Sequence, residues 1–129
     1  MKSELNGQYI LWYENGNKER ETTYKDGKKN GLFTRWYENG QKRFEGIYHE
    51  GKINGLYTKW YENRQKKSEI RYKDDIKEGY FITWRKNGIK WSEGTYKNGK
   101  LDGLCSTWYP NGDVWIKGIY KQGKLIKKV

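Results

Sequence analysis

The feature that most constrains this chain is a sequence pattern that recurs every 24 residues. Tryptophan, tyrosine, glycine and asparagine each return at that interval, and the tryptophan column comprises Trp12, Trp36, Trp60, Trp84 and Trp108. Residue types that keep one period through five copies define a tandem array, in which each copy is one structural unit stacked on its neighbours. The predicted units are residues 6–29, 30–53, 54–77, 78–101 and 102–125, which together form a single repeat domain over residues 1–129.

Each unit contains two turn signals between aromatic-rich segments. Asn39-Gly40 and its copies supply two residues that tolerate positive φ, which predicts a type I′ hairpin turn. The same turn is predicted half a unit later at Asp26-Gly27 and Asn98-Gly99, with weaker versions at Glu50-Gly51 and Gln122-Gly123. No apolar stripe has the spacing of a helix. Two strands and two turns per unit therefore predict an all-β fold, an elongated and twisted single-sheet meander of about ten strands.

Pairing across the first turn predicts which side chains share a face. In unit two it places Trp36 opposite Arg43, Phe33 opposite Gly46 and Gly31 opposite Tyr48. One predicted face then carries Phe33, Tyr37, Phe44 and Tyr48 over Gly46. The other carries Leu32, Trp36, Arg43, Glu45 and Ile47. A bulge at either turn would exchange these faces, because side chains alternate with a period of two residues.

The shared pattern G-L-Y-T-x-W-Y-x-N-G-Q-K resembles the MORN repeat, in the variant form common in bacteria. The match is best at residues 31–42 and 55–61, and the resemblance covers residues 6–125. It implies an elongated, twisted sheet of hairpins. Bacterial proteins built only from this variant are commonly classed as antitoxin or immunity partners of protein toxins. Other MORN arrays are linked to membranes and acidic phospholipids, or act as assembly scaffolds.

Several positions depart from the repeat pattern. Arg64 replaces the turn glycine of unit three, and Asp75-Ile76 replaces Gly-Lys at its second turn. Arg85 stands where the tyrosine after tryptophan is expected. Trp91 and Trp115 occupy a column that is polar in the first three units, with Glu19, Arg43 and Lys67. These irregular positions either carry partner specificity or represent drift.

Catalytic chemistry is not indicated by the sequence. His49 is the only histidine and Cys105 the only cysteine. Cys105 falls in the column of Tyr9, Phe33, Tyr57 and Phe81, so it is interpreted as a small core residue. There is no phosphate-binding loop, no dinucleotide-binding glycine pattern and no cluster with metal-ligand spacing. We therefore predict a protein that is not an enzyme, with no catalytic residue, no metal and no cofactor.

Charge and aromatic content indicate binding. The net charge is +11, and lysines flank the second turn of most units, so they should line one long edge of the sheet. Such an edge attracts acidic proteins, anionic lipid or nucleic acid, although lysine also serves solubility and protects sheet edges from pairing. Because only 33% of residues are apolar, part of the 17% aromatic content should stay accessible on a single-layer sheet.

Trp91 and Trp115 are not required by the repeat, and the predicted pairing places them opposite Trp84 and Trp108 as one aromatic patch. Extra burial near the end of the array is the alternative interpretation. The candidate binding residues are Trp84, Trp91, Trp108, Trp115, Lys73, Lys97, Lys100, Lys121 and Lys124.

The predicted function is a non-catalytic protein-binding module, with an antitoxin or immunity protein that occludes a toxin of acidic surface as the particular hypothesis. The alternative is a peripheral scaffold that binds membranes or anionic phospholipid. Nucleic acid ranks third, because aromatic side chains permit base stacking but no nucleic-acid motif is visible. No segment reaches the about 18 apolar residues that span a bilayer, and the first residues lack the apolar core of a signal peptide. A cytoplasmic location is therefore expected, with a removed leader left open.

Overall fold

A computed structural model describes residues 4–129, and all regular secondary structure in this range is β. Its thirteen antiparallel strands form one open sheet. In chain order they are β1 (Gly7–Trp12), β2 (Lys18–Lys25), β3 (Lys28–Trp36), β4 (Lys42–His49), β5 (Lys52–Ile53), β6 (Gly55–Trp60), β7 (Lys66–Lys73), β8 (Ile76–Trp84), β9 (Lys90–Lys97), β10 (Lys100–Leu101), β11 (Gly103–Trp108), β12 (Val114–Lys121) and β13 (Lys124–Lys128).

The strand order follows the chain, which confirms the predicted all-β meander. The five hairpins are β1/β2, β3/β4, β6/β7, β8/β9 and β11/β12. Short interruptions at Asn54 and Asp102 separate β5 from β6 and β10 from β11. Across these gaps the amides of Asn54 and Asp102 still donate to the carbonyls of Ile47 and Thr95, at 2.8 and 2.9 Å. These two interruptions and the additional β13 account for thirteen strands where ten were predicted.

The two turns of each unit are of different types. At the second turn both central residues have positive φ, 49° at Asp26 and 79° at Gly27, which confirms the type I′ prediction. At the first turn the prediction is wrong, because Gly40 has positive φ and Asn39 does not. The amide of Gly40 donates to the Tyr37 carbonyl and the amide of Tyr37 to the Gln41 carbonyl, at 3.0 and 2.8 Å. This pattern is a three-residue loop that ends in a left-handed glycine.

The asparagine side chain explains the choice of turn. Oδ1 of Asn39 accepts a hydrogen bond from the amide of Gln41 at 2.9 Å, and the asparagines of the other units bond their own loops in the same way. An asparagine side chain that accepts a hydrogen bond from the backbone amide two residues later stabilises this three-residue loop.

This loop changes the predicted register beside the turn. Phe33 pairs with Gly46 and Gly31 with Tyr48, as predicted, but Trp36 pairs with Lys42. The predicted Trp36–Arg43 pair is wrong, because a β-bulge makes Arg43 an extra residue on β4. The same bulge recurs in all five hairpins.

Away from the bulge the predicted faces are correct. Phe33, Phe44 and Tyr48 share one side, here called the Phe/Tyr face, with ring centroids of neighbours 5.6 Å apart. Leu32, Thr34 and Trp36 point to the other side, here called the Lys/Trp face, and pair with Ile47, Glu45 and Lys42.

Within residues 4–129 most of the buried apolar side chains lie on the Phe/Tyr face, with no second layer above them, whereas Ile82, which pairs with Glu93, is buried on the Lys/Trp face. Phe44 of unit two stacks on Tyr57 of unit three at 5.8 Å, which joins the rings of these two units, and Phe33, Phe81 and Cys105 are buried. Glycine is needed where the rings cross a strand. A Cβ on Gly46 would lie 2.9 Å from Cε2 of Tyr57 and closer still to Cδ2.

Candidate functional site

The Lys/Trp face carries four rows of side chains that run across the strands. Residues that pair between antiparallel strands point to the same side, so the register defines these rows. Starting from the type I′ turns, they are a lysine row, a row of mostly apolar exposed residues, a third row, and a row in which tryptophan and lysine alternate, with Val114 in place of lysine in unit five. The third row pairs threonine with glutamate in units two and three, Ile82 with Glu93 in unit four and Ser106 with Lys117 in unit five. Four rows on one face place chemically different surfaces about 7 Å apart along each strand.

The lysine row contains all five lysines predicted as binding residues. Lys97 pairs with Lys100 and Lys121 with Lys124 beside their turns, while Lys73 pairs with Ile76. All five lysines are exposed. The first three type I′ turns contain the acidic residues Asp26, Glu50, Asp74 and Asp75, whereas the last two contain only the neutral Asn98 and Gln122.

The row is therefore most basic at its C-terminal end. A shallow pocket of about 400 Å³ lies there, lined by Lys97, Asn98, Lys100, Asp102, Lys121 and Gln122.

The tryptophan–lysine row is already engaged within the sheet. Nζ of Lys90 lies 5.6 Å from the ring centroid of Trp108, and Lys18 and Lys42 lie over Trp36 and Trp60 in the same way. Each of these lysines also pairs with the glutamate three residues on, as Lys90 does with Glu93 at 3.3 Å. Trp84 and Trp108 are half-buried in this row. The repeated glutamates Glu21, Glu45 and Glu93 thus pair with lysines within the sheet.

Trp91 and Trp115 do not lie opposite Trp84 and Trp108, so the predicted pairing of these tryptophans is wrong. Lys90 and Val114 hold those positions, because the bulge makes each additional tryptophan the extra residue of its strand. The guanidinium of Arg85 lies 4.2 Å from the centroid of Trp91. Trp115 instead stacks on Tyr109, with centroids 5.6 Å apart.

These contacts reveal a paired column that sequence reasoning missed. In units two and three the corresponding contacts are Tyr37 with Arg43 at 5.5 Å and Tyr61 with Lys67 at 5.7 Å. Arg85 and Trp91 form the same contact with ring and cation exchanged. The two departures from the repeat therefore compensate each other. The signal was available in the sequence, since Arg85 and Trp91 deviate together within unit four.

The tyrosine that follows each column tryptophan also joins neighbouring units. Its hydroxyl donates to the carbonyl of the next unit's tryptophan, as Tyr61 does to Trp84 at 2.8 Å. Arg85 replaces this bond by donating from Nη2 to the Trp108 carbonyl at 3.1 Å. Tyr109 has no following unit to bond within residues 4–129, and its ring is exposed with Trp115.

The second row of the Lys/Trp face was not predicted as a site. Leu32, Ile47, Leu56, Tyr80 and Leu104 stand in this row, and each is between 37% and 52% exposed. Its sequence signal is the large apolar residue after the repeated glycine, at 32, 56, 80 and 104.

Residues 4–129 contain no group of three or more histidine, cysteine, aspartate or glutamate side chains placed to hold a metal ion. Cys105 is buried on the Phe/Tyr face opposite Gly118, whereas His49 is exposed beside a turn and pairs with Lys52. The structure does not bring these two together. Within the same range no helix has the length and apolar character to cross a membrane.

Comparison with known families agrees with this geometry. Residues 5–26, 29–50, 77–98 and 101–122 each match the family model described as MORN repeat variant. Since these matches cover more than half of the chain, it belongs to the MORN repeat variant family, whose repeats are non-catalytic modules that bind proteins or membranes. No curated protein matches the chain. Unit three, with Arg64 and Asp75, falls outside the matched segments, yet it forms the same hairpin.

Proposed function

We propose that this chain is a protein-binding module that acts as an antitoxin or immunity protein, binding and occluding a protein toxin with an acidic surface. The observation that carries the proposal is a pair of exposed aromatic contacts in units four and five, Arg85–Trp91 and Tyr109–Trp115. Trp91 and Trp115 are 46% and 56% exposed. Tryptophan is enriched at the centres of protein interfaces, where truncation costs about 2 kcal/mol or more.

The charge distribution supports the same proposal. Units four and five also carry the most basic part of the lysine row, Lys97, Lys100, Lys121 and Lys124. A cluster of one sign raises the association rate with an oppositely charged partner. Binding energy from tryptophan and steering from lysine would therefore both act at the C-terminal half of the array.

The experiment uses the protein encoded by the gene beside this chain's gene, after expression of that protein alone has been tested for toxicity. Co-expression should yield a complex and relieve toxicity, and failure of both rejects the antitoxin role. The site is tested by replacing Arg85→Tyr, Trp91→Lys and Trp115→Lys together, because this gives units four and five the tyrosine–lysine contact that unit three already has. We expect an unchanged melting temperature and a Kd raised about 30-fold or more.

Trp12→Lys is the matched control, since Trp12 is 57% exposed but lies in unit one. It should leave the Kd within about twofold. A triple variant that folds and keeps full affinity would show that the aromatic contacts are not the binding site.

A second candidate function is favoured by the lysine row itself, because exposed lysines on one face suit an anionic phospholipid surface. Co-sedimentation with phosphatidylserine vesicles would then be strong at low salt and lost at high salt, since exposed charges are screened beyond about 8 Å at physiological ionic strength. Absence of pelleting at low salt rejects this alternative.

A further inference from the structure

The row of exposed apolar residues on the Lys/Trp face runs across the sheet, with the exposed residues Arg71 and Thr95 standing between its apolar members. Leu32 pairs with Ile47 across β3 and β4, and the register continues from Ile47 to Leu56 on β6. Leu56 pairs with Arg71, and Tyr80 with Thr95. Leu104 on β11 follows Thr95 in the same register. The row thus crosses seven adjacent strands, and at about 4.8 Å per strand it is about 29 Å long.

Burial in the fold does not account for this row. Leu32 and Leu104 are 52% and 49% exposed, whereas the neighbouring residues Phe33 and Cys105, which point to the other face, are each 6% exposed. Exposed apolar residues are ordinary when scattered singly, but an aligned series on one surface indicates an interaction site.

The charges beside the row favour an acidic occupant. On one flank are the exposed lysines of the lysine row, including Lys52, Lys97 and Lys100. On the other flank are the glutamates, but Glu45, Glu69 and Glu93 are each paired with a lysine of the next row. Positive charge therefore predominates on the lysine side of the row in units four and five, where lysines outnumber Glu78 and Asp102. Beside units two and three it is offset by Glu50, Asp74 and Asp75. A segment with apolar residues on one side and carboxylates beside them would complement both.

The spacing of the row suits an amphipathic helix. Along a helix the apolar stripe recurs every 3.5 residues on average, which is about 5.3 Å at 1.5 Å per residue. Adjacent strands are about 4.8 Å apart, so successive apolar side chains of the helix fall close to successive strands. Five of the seven strands present an apolar or aromatic side chain there, and the other two present Arg71 and Thr95. The stripe is one side chain wide between two charged rows, which suits a single segment better than the broad surface of a bilayer.

We infer that this row, Leu32, Ile47, Leu56, Tyr80 and Leu104, receives an acidic amphipathic helix of the partner protein. Its apolar stripe packs on the row and its carboxylates face the lysine row. The inference rests on the proposed function in that the partner is a protein. It adds a surface that is separate from the aromatic contacts of Trp91 and Trp115.

The test uses a fluorescent peptide of about 20 residues in which leucine recurs every third or fourth position among glutamates, a length that covers the row at 1.5 Å per residue. A peptide of the same composition with its leucines in one block is the control ligand. The row variant is Leu32→Ser with Leu56→Ser and Leu104→Ser. The control variant is Leu11→Ser with Val114→Ser and Ile126→Ser, whose side chains are 51%, 54% and 61% exposed outside the row.

We expect the wild-type chain to bind the patterned peptide more tightly than the blocked one. The row variant should raise the Kd about tenfold or more, and the control variant should leave it within about twofold. Equal binding by the row variant overturns the inference. So does absence of binding by the wild-type chain, or association of the row with phosphatidylserine vesicles in place of the peptide.

The peptide experiment separates this inference from the antitoxin proposal. If the row variant loses the peptide but still binds the protein encoded by the neighbouring gene, that protein docks elsewhere, and the inference fails while the proposed function stands. If no toxin is bound but the peptide depends on the row, the antitoxin role fails and the helix-binding surface stands.

Discussion

The two faces of this sheet are built from the same strands but differ in how far their side chains are buried. On the Phe/Tyr face, Phe44 of unit two stacks on Tyr57 of unit three, and Phe33 and Phe81 are 6% and 5% exposed with no second layer above them in residues 4–129. On the Lys/Trp face, Leu32 and Tyr80 remain about half exposed between charged rows. The rows of the Lys/Trp face that are exposed can therefore vary with less effect on the core than the buried rings of the Phe/Tyr face.

The Lys/Trp face still contributes to stability in its third row. Thr34 is 3% exposed, and its hydroxyl donates to Oε2 of Glu45 at 2.9 Å. Lys42 bonds the same carboxylate oxygen. A buried hydroxyl that is hydrogen-bonded costs little, so a polar row can lie beneath the long side chains of its neighbours. The same row also buries Ile82, which is 8% exposed, so the faces differ in how much apolar surface they bury, and this difference can be tested by substitution.

The largest effect should come from removing a core ring. Phe81→Ala should lower the free energy of unfolding by about 3–5 kcal/mol, because a buried side chain is lost and a cavity remains. Leu104→Ala, at an exposed position of the Lys/Trp face, should change it by less than about 1 kcal/mol. Urea denaturation measures both. Similar losses for the two variants would contradict this difference in apolar burial between the faces.

A smaller decrease in the free energy of unfolding should follow from adding a methyl group to the Phe/Tyr face. Gly46→Ala should cost about 1–3 kcal/mol, because the new Cβ overlaps the ring of Tyr57. In a Tyr57→Ala background the same substitution should cost clearly less, since the overlapping ring is absent. If the cost is the same in both backgrounds, close packing of Gly46 against Tyr57 is not what requires glycine there.

Arg85 and Trp91 of unit four should contribute to stability as a coupled pair, with a coupling free energy of modest size. Arg85→Tyr and Trp91→Lys should each destabilise the chain, and the double variant should recover about 0.5–1 kcal/mol relative to their sum, because it forms the Tyr61–Lys67 type of contact. The new tyrosine can also donate to the Trp108 carbonyl. Thermal unfolding of the four proteins gives the coupling, and strict additivity would refute the compensation.

The smallest effect concerns two tyrosines whose pKa is raised to about 12 for different reasons. Burial raises the pKa of Tyr57 on the Phe/Tyr face to about 12. On the Lys/Trp face, the hydrogen bond to Glu93 at 2.6 Å is the main cause that raises the pKa of Tyr80 to about 12. Glu93→Gln should therefore lower the pKa of Tyr80 and leave that of Tyr57 unchanged in an ultraviolet titration.

Both tyrosines also link stability to alkaline pH. Their folded pKa lies above the unfolded value of 10.0, so the folded chain holds these protons more tightly. The resulting stability is complete below pH 10 and is lost as pH rises towards about 12. Glu93→Gln should flatten part of that decline. An unchanged pH profile would show that the Tyr80–Glu93 bond does not persist in solution.

The sequence alone determined the features that depend on local conformation and on the period. Five copies of 24 residues predicted one antiparallel sheet, and Asp26-Gly27 predicted a type I′ turn because both residues tolerate positive φ. The pairing of Gly31 with Tyr48 also followed from the pattern. These predictions succeed because each depends on a few adjacent residues or on strict repetition.

Only the tertiary structure decided the contacts beside the first turn. The dipeptide Asn39-Gly40 is compatible with a two-residue and with a three-residue hairpin loop. The hydrogen bond from the Gln41 amide to Oδ1 of Asn39 favours the three-residue loop. One added loop residue produces the bulge at Arg43, and the matching bulges in units four and five make Trp91 and Trp115 extra residues. Their contacts with Arg85 and Tyr109 then depend on a register shift of one residue. In a sheet, where neighbours alternate between faces, such a shift changes every partner beside it.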